Sequence, residues 1–336
     1  MSTIIRTRSP FFIRTPQETS SSLSYFQINI TVFGGLSSST EVCDDLYATY
    51  ALQKKPLGSE DSVTVDISEI VNDHLEQIFT GTYSASSAKS SIWVTVATSA
   101  RQSDGQIVPD TSVTSNTYLA QEGYNKFKEG VNYTTEPIAM ISSNYIQYHL
   151  GSTVTIPVNV ERVTSVQWRS GTGVRETDSF TDNGNQNQKI QYAQFTSTTL
   201  LDNALVTYDS GSTTTITLAP TEECKYPVNK ITFVNRWGAM QDLFFFKKSV
   251  DSLESRSESF NRSIFEARAV QLDPPEEPGG DCQESLTFNT YSTTEHAKKT
   301  FNANATESVL LNSGFVNELM NPFFEELMVS ENIWLT

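Results

Sequence analysis

SLSYFQINITVF, residues 22–33, alternates along its whole length: Leu23, Tyr25, Gln27, Asn29 and Thr31 point one way, and Phe26, Ile28, Ile30 and Val32 the other. A period of two, rich in β-branched and aromatic side chains, marks a half-buried strand, and Gly34-Gly35 ends it. The same reading recurs outward from this stretch. Residues 45–53 alternate through Leu46, Ala48, Tyr50 and Leu52, residues 62–66 are a short strand, and SSIWVTVATSA at 90–100 is a long one. Further strands are expected at 105–109 and 116–125. Between them Ile67, Ile70, Val71, Leu75 and Ile78 follow helical spacing, so a short helix is expected over 68–79, with Ser68 placed to cap it.

A second set of short runs begins near residue 152, at 153–160, 163–169, 188–195, 204–209 and 213–219. Turn material such as Gly171-Thr172-Gly173 and Asp182-Asn183-Gly184 separates them. Strands at this spacing suggest a sandwich. KITFVNRWGAMQDLFFFKKS at 230–249 reads as a hairpin turning at Asn235, Arg236, Trp237 and Gly238. DPPEEPGGD at 273–281 reads as a linker or long loop, and LTFNTY at 286–291 as a strand. Leu319, Met320, Phe323, Phe324, Leu327 and Met328 form an apolar stripe over 317–330. Asn317 or Asn321 is available to cap that helix, and Pro322 suits its first turn if it starts at Asn321. The expectation is a mainly β chain with two or more β-sandwich domains, Ig-like or jelly-roll-like, and a few short helices, one near the C-terminus. Its segments are an N-terminal arm at 1–20, sandwich domains at 21–150 and 151–250, and at 251–336 a linker with an acidic strand-helix segment.

Composition narrows the function classes. Of 336 residues 37% are hydrophobic and 18% charged, and the formal net charge is −16. A surface this acidic repels phosphate backbones, so no nucleic-acid partner is expected. No stretch reaches the 18 apolar residues that a membrane helix needs, so no membrane partner is expected either. The N-terminal MSTIIRTRSPFFIRT has charges through its apolar residues, unlike a signal peptide. Cys43, Cys224 and Cys282 lie far apart with no CxxC spacing, which fits neither a zinc site nor a disulfide framework and is consistent with assembly in a reducing cytoplasm.

Enzyme motifs are missing: there is no GxSxG, HExxH or phosphate loop. His74, His149 and His296 are scattered. Glu222-Glu223, Glu276-Glu277 and Glu325-Glu326 are adjacent pairs, and adjacent side chains diverge on a strand or a helix, so they read as solvated charges rather than shared sites. TDNGNQNQ at 181–188 lacks the glycine placement and terminal glutamate of a calcium loop and reads as a polar turn. No catalytic, cofactor or metal residue is assigned, and no cofactor is expected.

Three stretches carry a resemblance: RSPFFIR at 8–14, the block from Cys224 through KYPVNKITFVNRWGAMQDLFFFKKS, and TFNANATESVLLNSGFVNELMNPFFEELMVSENIWL at 300–335. Each is similar, in the same order, to segments of tailed-bacteriophage virion structural proteins of the tail, neck or baseplate. The match covers about a third of the chain, and residues 36–220 carry none of it. Similar proteins continue beyond the position of Thr336 with a further strand-rich segment. The resemblance implies a non-enzymatic virion subunit, assembled in the host cytoplasm into a ring, collar or baseplate component. Its partners would be copies of itself and other virion structural proteins. The alternatives are a receptor- or glycan-binding module of a tail fibre, which would take a host-surface glycan, and a capsid decoration protein.

Interface candidates follow from residue type. Arg6, Arg8 and Arg14 alternate with Ile4, Ile5, Phe11, Phe12 and Ile13, and Pro10 and Pro16 hold the segment extended. Two readings stay open for residues 1–16: an arm that docks on an acidic neighbour, or an edge strand of the chain's own first domain. Arg236 and Trp237 at the hairpin tip combine the residue types enriched in interface hot spots. Trp334 lies in an apolar end, NIWLT, of the kind tied down in its own sheet or on a neighbouring subunit.

Overall fold

The computed structural model describes residues 2–37, 46–57, 61–83, 89–135, 139–196, 200–223, 225–261, 268–271, 284–287 and 296–336. The chain is mainly β. It divides into two compact units, one of Met1–Lys248 with Asn312–Thr336 and one of Ser249–Leu311. The segments expected at 1–20, 21–150 and 151–250 thus fall in one unit, apart from residues 249–250. The segment expected at 251–336 is split, because its last part returns to the first unit.

In the first unit a five-stranded sheet runs in the order Ile4–Arg6, Thr114–Gln121, Ser91–Arg101, Tyr25–Phe33, Leu46–Lys54. The first pair is parallel and the others antiparallel. The alternation read from residues 22–33 is the burial pattern of the strand: Phe26, Ile28, Ile30 and Val32 are all within 1% of full burial. They meet Ile92, Val94 and Val96 of the neighbouring strand, with Ile13, Val63, Ile67 and Val71 in the same core. These last four come from or beside the small Phe12–Arg14 and Thr64–Asp66 pair and the Ser68–Asn72 helix.

That helix is shorter than its apolar spacing predicts, and Ser68 does not cap it. Ser68 is the first helical residue; Asp66 Oδ1 accepts from its backbone N–H at 3.0 Å and its hydroxyl at 2.8 Å. The chain leaves the helix at Asp73 because Glu76 N–H turns to donate to Lys89 O at 3.0 Å. The strand expected at 105–109 is a single bridge, Arg101 with Ile107.

A second five-stranded sheet has the order Gly173–Ser179, Val163–Ser170, Asn203–Tyr208, Thr213–Thr221, Tyr145–His149. It is opposed by the Thr153–Asn159 and Ile190–Thr196 pair, and Trp168 stacks on Phe195 across the gap at 5.8 Å. The arrangement is sandwich-like. A third, three-stranded sheet pairs Asn229–Val234 with Met240–Phe245 on one side and with Ile333–Leu335 on the other. Met240–Phe245 is buried at every position. Asn317 opens a 3-10 turn by accepting from Leu319 N at 3.0 Å, and the helix proper is Asn321–Val329, with Pro322 in its first turn. Phe324 then meets Phe245 edge-on at 6.4 Å.

The second unit holds two paired 15-residue strands, Lys247–Asn261 and Lys298–Asn312, whose first residues and last residue belong to the first unit. The short strands Arg268–Gln271 and Glu284–Thr287 pair with each other. The expected strand at 286–291 is described only to Thr287, and the expected linker at 273–281 lies outside the described residues, as do all three cysteines.

Candidate functional site: a buried polar turn

The turn at residues 235–239 is a buried polar feature of the first unit, tied to several other segments by hydrogen bonds. It reverses the chain because Gly238 takes φ +79°, where a side chain is strained. Asn235 Oδ1 accepts from Trp237 N at 3.0 Å and Ala239 N at 3.2 Å, so one side chain closes the turn. Asn235 Nδ2 donates to Met140 O at 2.7 Å and Gln241 Oε1 at 2.9 Å.

The structure places Arg236 and Trp237 in a packed turn at the hairpin tip, Arg236 buried and Trp237 half-buried. Arg236 is 7% exposed. Its guanidinium grips Glu129 through two bonds of 3.0 and 2.8 Å, a bidentate fork that lysine cannot make. Its backbone N–H donates to Glu326 Oε2 at 3.2 Å, and its carbonyl accepts from Tyr124 N at 2.9 Å. Trp237 lies 4.5 Å from the Arg236 guanidinium and 5.2 Å from that of Arg6. Arg6, 2% exposed, also donates to Trp237 O at 2.6 Å and Gln121 Oε1 at 3.1 Å.

The other arm residues are placed as an edge of the chain's own sheet, not as a free arm. Ile4 and Ile5 are buried beside Leu119 and Ala120. Arg8 donates to Val329 O at 2.7 Å, pairs with Glu331 at 3.2 Å and lies 5.5 Å from the Tyr124 ring. Phe11 meets Tyr118 edge-on at 5.3 Å, and Arg14 Nε donates to Ser62 Oγ at 3.2 Å. Phe12 is 63% exposed. Trp334 pairs with Thr232 in the three-stranded sheet and lies 5.7 Å from Phe79, so the apolar end is tied down in its own sheet.

Glu326 corrects the reading of Glu325-Glu326 as two solvated charges. Glu325 is solvent-facing and pairs with Lys126 at 2.8 Å, whereas Glu326 is 1% exposed and accepts from Ser142 Oγ at 2.7 Å. Burial lifts the Glu326 carboxyl above the usual carboxylate range, opposed by its hydrogen bonds and by Arg236. Glu129 goes the other way, held low by its hydrogen bond to Arg236. Asp242, on the strand leaving the turn, accepts from Tyr83 and from Thr232 Oγ1 at 2.6 Å, with Lys230 3.5 Å away. Burial raises its carboxyl, and burial pushes the Tyr192 hydroxyl beside this cluster up to about 12.

Two further features that the sequence offered have structural employment. Asp182, in the stretch weighed as a calcium loop, accepts from Lys189 Nζ at 2.7 Å; the fully buried ammonium also reaches Glu161 at 3.4 Å and bonds Gly184 O. His74 bonds Tyr50 at 2.7 Å and His149 contacts Ser152 at 3.3 Å, so each has a local partner. Among the described residues no three His, Cys, Asp or Glu side chains converge as metal ligands, and no helix is long and apolar enough to cross a membrane.

Sequence reasoning missed Glu129 and Glu326 as partners of Arg236. Each looks like an ordinary surface acid, and only tertiary folding brings them within reach. The fold and the site define a mainly β protein with several small sheets, pinned by a buried polar turn. No protein-family model matches the chain, and no curated protein is significantly similar to it.

Proposed function

We propose that this chain is a non-enzymatic structural subunit of a tailed-phage virion that assembles with copies of itself and with other virion proteins. One observation carries the reading. The three stretches that resemble such proteins, at 8–14, 224–249 and 300–335, lie far apart in sequence yet are joined in space. Arg8 bonds Val329 O and Glu331, Arg236 N bonds Glu326, and Asn229–Val234 pairs with Ile333–Leu335. A likeness spread over scattered segments thus falls largely on one substructure, the buried turn and what it grips. Its charged groups have partners within the chain: Arg236 pairs with Glu129, and Asp242 with Lys230 and the hydroxyls of Tyr83 and Thr232. That supports a scaffold over a catalytic centre, which needs groups free to meet a substrate. Place in the virion and assembly in the host cytoplasm come with the same reading.

Negative-stain microscopy of the purified chain tests it, together with an antibody against the chain applied to tailed particles. Rings or regular multimers and labelled particles are expected. Lone monomers, unlabelled particles and turnover of a capsular polysaccharide or peptidoglycan would overturn it.

A further inference from the structure

We infer that the Lys298–Asn312 strand is a self-pairing edge, through which two copies of the chain join their ribbons into one antiparallel sheet with Ala305 on the twofold axis. This rests on the structural-subunit reading and names its partner and its surface.

The ribbon lacks what normally supports a two-stranded sheet. Every residue of Lys298–Asn312 is exposed except Leu311, which is half-buried. The facing strand is exposed throughout save at Ser249 and Ser259, which are half-buried. Phe301 is 64% exposed, Leu310 70%, Leu253 64% and Val250 49%. Two strands alone are marginal in water, and a third or fourth strand is what makes such a sheet stable. Among the described residues each of these two strands is paired on one side only, and its other edge of N–H and C=O groups is a template for another strand.

The two edges differ in how they are guarded. Lys247–Asn261, KKSVDSLESRSESFN, has charges spread along it at Lys247, Lys248, Asp251, Glu254, Arg256 and Glu258. Charged side chains at such intervals are the usual protection of a free edge. Lys298–Asn312, KKTFNANATESVLLN, has Lys298 and Lys299 at one end and then only Glu307. Its stretch TFNANAT is uncharged, rich in Thr and Asn, and unguarded.

The partner is read from charge and register. The chain as a whole carries −16 and repels its own copies, but this strand carries only Lys298, Lys299 and Glu307, so little charge opposes its pairing with itself. Antiparallel self-pairing about Ala305 sets Phe301 against Val309, Thr300 against Leu310, Asn302 against Ser308 and Asn304 against Thr306. The charged residues Lys298, Lys299 and Glu307 then face Asn312, Leu311 and Ala303, so no like charges meet. Centring the other strand on itself would put Glu254 against Glu254. Fifteen residues give a ladder of about 50 Å with on the order of a dozen backbone hydrogen bonds, as many as a stable interface has.

The test uses the full-length chain with its native cysteines, a short bismaleimide, and sedimentation velocity. Ala305→Cys is expected to cross-link as a dimer well above the parent chain, and Ser257→Cys, on the guarded strand, to stay at the parent's level. Ala305→Lys, which sets two ammonium groups on the axis without touching any core, is expected to weaken self-association at least tenfold. Equal cross-linking at 305 and 257, or unaltered sedimentation of Ala305→Lys, overturns the inference. Antibody labelling of particles keeps the two claims apart: labelled particles without cross-linking at 305 overturn the ribbon alone. Unlabelled particles overturn the structural-subunit reading on which the ribbon proposal stands.

Discussion

Glu129 and Glu326 both bond Arg236, one through its guanidinium and one through its backbone N–H, yet their carboxyls are shifted in opposite directions. The Arg236 fork on Glu129 is partly exposed at the acid, whose side chain keeps 28% of its surface. Arg236→Ala should therefore cost about 2–3 kcal/mol, below the 3–5 kcal/mol of a fully buried pair, and Arg236→Lys should recover only part of it. Thermal melting of the purified chain measures both. Glu129 is held low in the folded state, so its contribution is present above its ordinary value near 4.5 and is lost as pH falls through the folded value. The Arg236→Ala penalty should shrink in acid accordingly. Glu326 is raised, so what it contributes is full below about 4.5 and fades as pH rises through its folded value. Glu326→Gln keeps an oxygen to accept from Ser142 and Arg236 but carries no charge. The variant's melting temperature should rise relative to the parent's between pH 5 and 8, and a constant difference across that range would refute the assignment of a buried charge. These roles were not legible in the sequence, because a buried glutamate and a solvated one are spelled alike.

The turn at 235–239 makes the same point for elements. Its location was readable, since Asn235 and Gly238 sit between two apolar runs, but its burial was not. What buries it is the passage of residues 121–124 across its back: Tyr124 N donates to Arg236 O at 2.9 Å. The approach is so close that a Cβ on Gly123 would lie 2.6 Å from Arg236 O, and one on Gly238 would run into the carbonyl of Glu122. Gly238→Ala therefore combines a positive-φ strain with a backbone collision, and about 2 kcal/mol or more of stability should be lost. A melting temperature within a degree of the parent's would mean that the crossing segment yields freely. Strands such as Tyr25–Phe33 were legible because one face of each is buried, and burial imposes alternation. Lys298–Asn312 was illegible for the converse reason: it is exposed on both faces, so nothing in TFNANATESV separates inside from outside. Ile4–Arg6 stayed open between an arm and an edge strand for another reason: all three of its residues are buried, the arginine included, and no period of two survives.

At the scale of the molecule, the chain leaves its first unit at Lys248 and re-enters at Asn312. Among the described residues, every buried hydrophobic side chain lies outside 249–311, since the series passes from Phe246 directly to Met320. The returning segment nevertheless matters to the first unit, because Ile333–Leu335 completes the three-stranded sheet and Glu326 reaches the buried turn. Exit and return are adjacent: a Cβ on Gly314 would lie 3.0 Å from the Lys247 side chain. A short linker can therefore replace residues 249–311 without displacing either end. Among the described residues the substitution removes no buried hydrophobic side chain, and it shortens a loop that folding must close. Going from about sixty residues to about six lowers the closure entropy by roughly 2 kcal/mol. The excised chain should melt at or a few degrees above the parent temperature, with its near-ultraviolet dichroism preserved, and should no longer self-associate. A lowered melting temperature would mean that the ribbon stabilises the first unit. Unchanged self-association would place the contact between copies elsewhere on the chain.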